Sequence, residues 1–305
     1  MTSGTLPGAE GALKRRKMLI GWPALVVAVT IWACFALSIR LISLSNVNTI
    51  DVAIIRFSVP AVILLPFLLT RLSHIRRVPL LPFLMVSAGG GLPFFLIAAW
   101  GGHFATASYV GALIAGTTPI AASLINFVIN KQPPTTGRMK GLAVILTGVA
   151  VLVLSLGVFT GSVLTGIAIL LFASLFWGSY TVGIRELGVT PLTCLMLVTY
   201  PSAIILGFLL LTGMVESHLM QHSFKECLPF ILMQGIGVGI FSTLAYAIAI
   251  GYLGTLRCAT FGSLAPVVAT FLAIPFLNEV PSFLTVMGVS IITAGVIYCN
   301  RYNQR

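Results

Sequence analysis

The chain contains one long stretch twice: residues 112–149 read ALIAGTTPIAASLINFVINKQPPTTGRMKGLAVILTGV, and residues 259–296 read ATFGSLAPVVATFLAIPFLNEVPSFLTVMGVSIITAGV. The two stretches align without a gap. Prolines and glycines recur at the same places, namely Pro119 with Pro266, Pro134 with Pro281, Gly141 with Gly288 and Gly148 with Gly295. Because a helix interior tolerates proline and glycine least, their recurrence in the same order indicates an internal repeat rather than a chance likeness of apolar runs.

The repeat extends toward the start of each half. Further matches join residues 21–40 with 166–185, residues 60–69 with 201–210 (six identities in ten), Trp32 with Trp177, Phe35 with Tyr180 and Arg40 with Arg185. The alignment predicts four segments: a basic tail at 1–17, a five-helix repeat at 18–156, a second five-helix repeat at 157–300 and a C-terminal tail at 301–305.

The composition places both repeats in a membrane. The chain has 305 residues, of which 58% are hydrophobic and 8% charged, whereas soluble domains carry about 25% charged residues. A membrane helix needs about 20 apolar residues, and we predict ten such spans, at 18–39, 49–70, 79–99, 103–129, 138–156, 162–184, 190–212, 228–250, 256–277 and 282–300. Since five spans per repeat is an odd number, the sequence predicts an all-α polytopic membrane protein with ten transmembrane helices as two inverted-topology repeats.

Basic residues fall almost entirely on one side of these spans. Fourteen of the 17 lysines and arginines lie in the tails and in alternate loops, whereas Arg40 and Lys225 lie on the other side and Arg56 within a span. Cytoplasmic loops carry such an excess of cations, so we expect both termini in the cytoplasm. The charges then serve topology and contact with the lipid bilayer, and no nucleic acid is expected as a partner.

Two predicted spans contain residues that break helices. The third holds Gly89, Gly90, Gly91 and Pro93, and the corresponding part of the eighth holds Gly235, Gly237 and Gly239. Interrupted helices at matching places in two halves point to a transport site near the membrane midplane. We therefore expect these helices to line a central cavity and to flex during transport, while tight helix packing by glycine is the alternative.

The ten spans and the two proline- and glycine-marked segments resemble the drug/metabolite transporter superfamily, EamA type. Pro266, Glu279 and Gly288 match the pattern of that family, whereas Gln132 stands where the first repeat of the family usually has an acidic residue. Within the superfamily the chain is most similar to YddG-type exporters of aromatic and other amino acids. The resemblance implies a multi-pass secondary transporter of the bacterial inner membrane that exports neutral amino acids by alternating access. Multidrug and nucleotide-sugar transport by the same fold are the alternatives.

Aromatic and polar residues within or beside the spans are candidates for the substrate cavity, because such sites combine apolar walls with a few polar groups. The candidates are Trp32, Phe94, Phe95, Trp100, His103, Tyr109, Asn126, Trp177, Tyr180, Gln234 and Tyr246. Two alternatives stay open: tryptophans also anchor helices at the membrane interface, and His103, in the turn between the third and fourth spans, could bond to the backbone instead.

Few ionisable residues could couple transport to protons. Asp51 and Arg56 lie five residues apart in the second span and do not share a helix face; Arg56 could snorkel, pair with Asp51 or meet a substrate carboxylate. Glu279 is expected to latch the turn between the ninth and tenth spans. A proton antiporter needs a carboxylate or histidine exposed alternately to both sides, and only Asp51, His103 and Glu279 qualify. Facilitated diffusion is the alternative to proton coupling.

Other chemistry finds little support. The five cysteines form no CxxC pair, so neither a disulfide framework nor a metal site is predicted. No Gly-x4-Gly-Lys-Ser/Thr loop is present to hold nucleotide phosphates, and no cofactor is expected. A membrane-embedded enzyme would need paired aspartates or a serine–histidine pair within the membrane, and neither stands out. We therefore expect a transporter, not an enzyme, with a small-molecule substrate; the sequence leaves its oligomeric state open.

Overall fold

The computed structural model describes residues 7–75, 77–157 and 160–302, and this part of the chain is all-helical. It contains ten spans that are long and apolar enough to cross a membrane: Met18–Leu44, Thr49–Arg71, Leu80–Gly102, Ala107–Asn130, Thr136–Leu154, Gly161–Leu187, Pro191–Leu211, Phe224–Leu253, Arg257–Leu277 and Phe283–Tyr302. We number them spans 1 to 10. Residues 1–6 and 303–305 of the predicted tails lie outside the described residues, as do Arg76 and the side chains of Lys14, Arg15, Arg16 and Lys17.

Seven spans are formed by unbroken helices, of which the first begins at Pro7 and the second continues to Ile75. The other three are interrupted. Span 3 consists of helices Leu80–Gly90 and Leu92–Gly102. Span 8 consists of helix Phe224–Phe230, a π-helical segment Ile231–Phe241 and helix Ser242–Leu253, preceded by a short 3-10 turn, Leu219–Gln221. Span 9 consists of helices Thr255–Gly262 and Ala265–Leu277.

The two halves pack against each other in a reciprocal pattern. Span 1 packs against spans 8 and 9 of the second half, and its counterpart, span 6, packs against spans 3 and 4 of the first half. Span 2 contacts spans 7 and 8, and its counterpart, span 7, contacts spans 2 and 3. Spans 5 and 10 pack on each other. Exchanging the two halves therefore reproduces these contacts of spans 1, 2, 6 and 7 and the pair of spans 5 and 10.

Glycines that recur in the repeat allow spans 5 and 10 to approach closely. A Cβ atom on Gly148 would lie 2.6 Å from the backbone nitrogen of Ile292, and one on Gly288 would lie 2.8 Å from that of Leu152. Small residues at a helix crossing let the backbones approach in a membrane, where the hydrophobic effect does not drive helices together. The repeated glycines of the sequence thus mark one symmetric contact.

The repeat is also visible in the backbone where spans 4 and 9 end. Lys131 and Asn278, which align in the two repeats, both adopt a left-handed conformation with φ of 55°. They are the two non-glycine residues with positive φ within the described residues, and a helix commonly ends on such a residue. The same local geometry therefore terminates the same helix in each half.

The counterpart arginines lie at opposite ends of the molecule. Arg40, at the end of span 1, forms an ion pair with Glu279, just before span 10. Arg185, at the end of span 6, lines the same opening as Asn300, near the end of span 10. Because these two regions lie at the two ends of one spanning helix, spans 1 and 6 run in opposite directions, as an inverted repeat requires.

Candidate functional site

A cavity of about 790 Å³ lies between the two halves. Its wall includes residues from every span, among them Trp32, Arg56, Phe94, Asn126, Arg138, Trp177, Cys194, Tyr246, Pro266 and Cys299. Ligand sites for small molecules enclose about 300–1,000 Å³, so the cavity has the size of a site for a metabolite. It lies where transporters built from two repeats place their substrates.

Among the residues that the structure describes, the cavity opens at one end of the molecule. Its wall there includes the exposed side chains of Asn130, Gln132, Arg185 and Glu186. We call this the open end. At the other end Arg40, Gly102, Ala107 and Glu279 are not part of the wall, and we call this the closed end. The structure therefore gives the cavity access from one side of the predicted membrane.

An ion pair seals the closed end. Arg40 Nε donates to Glu279 Oε1 at 2.7 Å, and the side chains are 21% and 15% exposed. The other carboxylate oxygen of Glu279 accepts from the backbone N–H of Ala107 at 2.9 Å, while Arg40 Nη1 donates to the carbonyl of Gly102 at 3.3 Å. Glu279 thus joins spans 1 and 4 to the turn between spans 9 and 10, which goes beyond the local latch predicted for it.

Aromatic rings form the walls of the cavity. Trp32 of span 1 lies 4.7 Å, between ring centroids, from Tyr246 of span 8. On the other side Trp177 lies 5.2 Å from Phe94 and 4.7 Å from Tyr180. These distances are typical of paired aromatic side chains. Each of the two repeat-related tryptophans therefore belongs to one aromatic cluster, and both clusters line the same cavity.

A buried polar chain lies at the inner boundary of the cavity. Arg56 of span 2 lines the cavity and is 5% exposed. Its Nη1 donates to Gln234 Oε1, and Gln234 Nε2 donates to Ser38 Oγ at 2.6 Å. Gln234 lies in the π-helical segment of span 8, and π-helical turns occur frequently at functional sites. Spans 1, 2 and 8 are thereby joined through one arginine and one amide.

Asp51 does not pair with Arg56. Its Oδ1 accepts from Ser217 Oγ at 2.6 Å and from the backbone N–H of His218 at 2.9 Å, and Oδ2 lies 3.5 Å from His222 Nε2. The five-residue spacing places Asp51 and Arg56 on different helix faces, and Asp51 instead holds the loop between spans 7 and 8. The possible charge pair named from the sequence is therefore not formed.

The interruption of span 3 lies at Gly91, two residues before Pro93, which falls in the first turn of the next helix. A side chain of span 7 satisfies the broken backbone, since the N–H of Leu92 donates to Ser202 Oγ at 2.9 Å. In the opposite direction Ser87 Oγ of span 3 donates to the carbonyl of Leu197 in span 7 at 2.7 Å. Unpaired backbone groups are not tolerated at membrane depth. The break is therefore a packed joint between spans 3 and 7.

The glycines predicted to interrupt spans 3 and 8 lie at close contacts. A Cβ on Gly89 would lie 2.4 Å from the carbonyl oxygen of Phe176, and one on Gly91 would lie 2.1 Å from that of Ser87. In span 8, Gly235 and Gly239 pack on span 2, where added Cβ atoms would lie 3.1 Å from Val59 and Pro60. Gly237 lies in the same π-helical segment. Gly90 and Gly239 also line the cavity.

The structure brings six predicted cavity residues to the wall: Trp32, Phe94, Asn126, Trp177, Tyr180 and Tyr246. Five others lie elsewhere: Phe95, Trp100, His103, Tyr109 and Gln234. Successive helix residues differ by about 100° in direction, so Phe95 faces away from Phe94 and is fully buried against Phe57. Gln234 is fully buried behind Arg56.

The remaining three lie near the closed end. Trp100 is 58% exposed on the outside of the bundle, and His103 is exposed in the turn after span 3. Tyr109 is buried, and its hydroxyl donates to the carbonyl of Leu152 at 3.0 Å, which ties span 4 to span 5. Trp100 and His103 are exposed and Tyr109 is bonded to span 5, so none of the three reaches the cavity wall.

Some residues of this region escaped the sequence reasoning. Ser38 orients Gln234, and Ser202 satisfies the break in span 3. Neither had a signal, because serines are common in membrane helices. The pairing of Arg40 with Glu279, itself a candidate, did have one, because the predicted topology places both residues on the same side of the membrane. No group of three or more His, Cys, Asp or Glu that could hold a metal ion occurs in the part of the chain that the structure describes.

Comparison with known proteins agrees with this architecture. The model of the EamA-like transporter family matches residues 19–154 and, a second time, residues 164–301. A solved structure, titled only "Crystal structure of protein", is similar in fold with a TM-score of 0.61 and 19% identity, covering 93% of this chain and 96% of that one. None of the curated proteins compared with the chain matches it.

Proposed function

The chain belongs to the EamA-like transporter family, and we propose that it exports aromatic and other neutral amino acids by alternating access. Membership identifies a multi-pass membrane transporter of small molecules. The amino-acid substrate is our inference from the cavity. The observation that carries it is the aromatic lining on both sides of a cavity of about 790 Å³, which suits an amino acid with an apolar side chain.

The asymmetry of the two ends supports alternating access. The closed end is held by Arg40 and Glu279, and the aligned residues Arg185 and Gln132 both line the wall of the open end. In an inverted repeat the second state exchanges the conformations of the halves. The other state of this transporter would therefore bring Arg185 to Gln132 and separate Arg40 from Glu279.

The distribution of charge supports an orientation. The open end carries the cations Lys131, Arg138 and Arg185, whereas Arg40 and Lys225 lie toward the closed end. By the positive-inside rule, the open end and both termini face the cytoplasm of a bacterial inner membrane. In this state the cavity would take up a cytoplasmic substrate, which is the first step of export.

The cavity wall favours facilitated diffusion over proton coupling. The three candidates for coupling, Asp51, His103 and Glu279, all lie outside the wall. Among the described residues, the one carboxylate in the wall is that of Glu186, which is exposed at the open end. The side chain that carries the proton must be accessible from both sides in turn. In the observed state none of the three candidates lines the cavity, where the substrate would bind.

Transport by the purified protein tests this proposal. Liposomes containing the protein are loaded with unlabelled phenylalanine, and entry of radiolabelled phenylalanine is followed without any ion gradient, with a nucleotide sugar and a cationic dye in parallel. We expect saturable exchange of phenylalanine and none of the other two. Exchange of a nucleotide sugar or dye alone, or phenylalanine entry only under a pH gradient, would contradict the substrate or the mechanism respectively.

Two tryptophan variants link the activity to the cavity. Trp177→Ala removes an aromatic ring from the wall, and Trp100→Ala removes one from the outer surface. We expect Trp177→Ala to lower the exchange rate about tenfold, equivalent to about 1.4 kcal/mol, and Trp100→Ala to leave it within about twofold. Equal losses in both variants would argue against this cavity as the path.

A further inference from the structure

Arg56 is a buried cation that borders the cavity. Its guanidinium carbon lies 5.4 Å from the ring centroid of Phe35, 5.5 Å from that of Phe57 and 5.4 Å from that of Phe95. Aromatic faces attract a cation, but they do not neutralise it. The side chain is 5% exposed and contributes to the cavity wall, so a molecule in the cavity can approach this charge.

No carboxylate of the described residues neutralises Arg56. In this part of the chain Glu279 pairs with Arg40, and Asp51 lies beside His222 in the loop between spans 7 and 8. Arg56 Nη1 donates to the neutral amide oxygen of Gln234, and Arg56 Nε has no hydrogen-bond partner. An uncompensated buried charge is unfavourable, and an anion that reached Arg56 would relieve that cost.

Gln234 cannot neutralise Arg56, because its amide side chain carries no charge. Its amide nitrogen donates to Ser38 Oγ at 2.6 Å, and this bond turns its oxygen toward Arg56. The amide therefore fixes one edge of the guanidinium without neutralising it. A guanidinium has five N–H donors in a planar fork and binds a carboxylate through two of them.

We propose that Arg56 binds the carboxylate of the transported substrate, with Gln234 as the positioning residue. The aromatic clusters of Trp32 and Trp177 then hold the rest of the molecule. The cavity selects monocarboxylates with an apolar or aromatic body, and neutral amino acids are one such class. This inference rests on the proposed function and deepens it, because it assigns the part of the substrate that is recognised and the residue that recognises it.

Three probes of similar shape test which group is recognised. Phenylalanine has a carboxylate and an ammonium group, 3-phenylpropionate keeps only the carboxylate, and phenethylamine keeps only the ammonium group. Binding to the full-length protein in lipid nanodiscs is followed by the change in tryptophan fluorescence, since Trp32 and Trp177 line the cavity. We expect both carboxylates to bind at least about 10-fold more tightly than the amine, as charge-assisted hydrogen bonds predict.

Two variants separate recognition from a purely structural role of Arg56. Arg56→Gln removes the charge. Gln234→Glu keeps the side-chain shape and gives Arg56 a carboxylate partner within the protein. This substitution strengthens the contact between residues 56 and 234, but it also occupies the guanidinium that would bind the substrate. We expect both variants to weaken carboxylate binding by about 10- to 100-fold. Arg257→Gln, which removes an exposed cation, is the matched control and should change binding less than about twofold.

The outcomes distinguish this inference from the proposed function. Unchanged phenylalanine binding in Gln234→Glu, equal binding of phenethylamine, or no binding of any probe would overturn the role of Arg56. Binding of 3-phenylpropionate without phenylalanine, lost in Gln234→Glu, would support Arg56 and contradict the amino-acid substrate. Phenylalanine exchange that persists unaltered in Gln234→Glu would keep the proposed function and overturn the inference.

Discussion

The two ends of the molecule are built from aligned residues but differ in chemistry. At the closed end an arginine meets a glutamate, Arg40 with Glu279, at 2.7 Å. At the open end the aligned residues are Arg185 and Gln132, an arginine and a neutral amide, and both are exposed in the wall of the opening. The end with the ion pair is the one that is closed.

This difference suggests how the sequence sets the balance between two states. A charge-assisted hydrogen bond contributes about 1.5–3 kcal/mol, and a neutral one about 0.5–1.5 kcal/mol. With otherwise similar halves, the end that has the glutamate closes more firmly. Under the proposed alternating access, the neutral amide of Gln132 would then bias the transporter toward the state open at the basic end, which we propose to face the cytoplasm.

Removing the ion pair is expected to have the largest effect on this comparison. Glu279→Gln gives the closed end the chemistry of the open end and leaves the N–H of Ala107 with a weaker acceptor. We expect the population open at the former closed end to rise about 5- to 13-fold, because the difference between the charge-assisted and the neutral bond, about 1–1.5 kcal/mol of closure, is lost. Spin labels at residues 46 and 280, both exposed near that end, report the change as a longer distance. An unchanged distance distribution would show that the ion pair does not control the opening of this end.

The contact of spans 5 and 10 offers a contrast, since it belongs equally to both halves. Gly288→Ala places a Cβ 2.8 Å from the backbone of Leu152, and such overpacking costs about 1–3 kcal/mol. We expect a lower thermal midpoint in detergent with no preference for either end in the label distances. Gly207→Ala is the control, because no atom lies within 4 Å of its added Cβ. A shift of the open and closed populations without loss of stability would make this contact part of the gate.

Restoring the acid at the open end is expected to have the smallest effect. Gln132→Glu supplies Arg185 with a carboxylate, but both side chains are exposed in the observed state, where ion pairs contribute about 0.2–1 kcal/mol. We expect the state closed at this end to gain about 1.5- to 5-fold, a gain that high salt removes. Labels at residues 133 and 187 measure it. A salt-independent change of the same size would rule out an ion pair as its cause.

Much of the fold could be predicted from the sequence. Ten apolar runs, the odd number per repeat and the paired glycine-rich breaks led to ten spans with interruptions in spans 3 and 8. The interruption of span 9 between Gly262 and Ala265 was not predicted. The match of Trp32 with Trp177 indicated two positions that both reach the cavity wall.

The faces of the helices were harder to predict. Lipid is as apolar as a protein core. The helix face that contacts lipid and the face that contacts other helices therefore have similar amino-acid compositions. Phe95 and Trp100, one fully buried and the other on the outer surface, illustrate this. The partner of Asp51 lies in the loop at 217–222, and that of Arg56 lies 178 residues along the chain. Such pairings depend on how the halves interlock, which local sequence patterns do not specify.

The most direct test of the central claim is a reversible cross-link between the two residues expected to meet in the other state. Cysteines replace Gln132 and Arg185 in a variant whose five native cysteines are changed to serine or alanine. Alternating access predicts that oxidation during phenylalanine exchange joins the two positions and stops exchange, and that a reductant restores it. Exchange that continues at full rate in the cross-linked protein, or an active protein in which the two cysteines never join, would contradict the account.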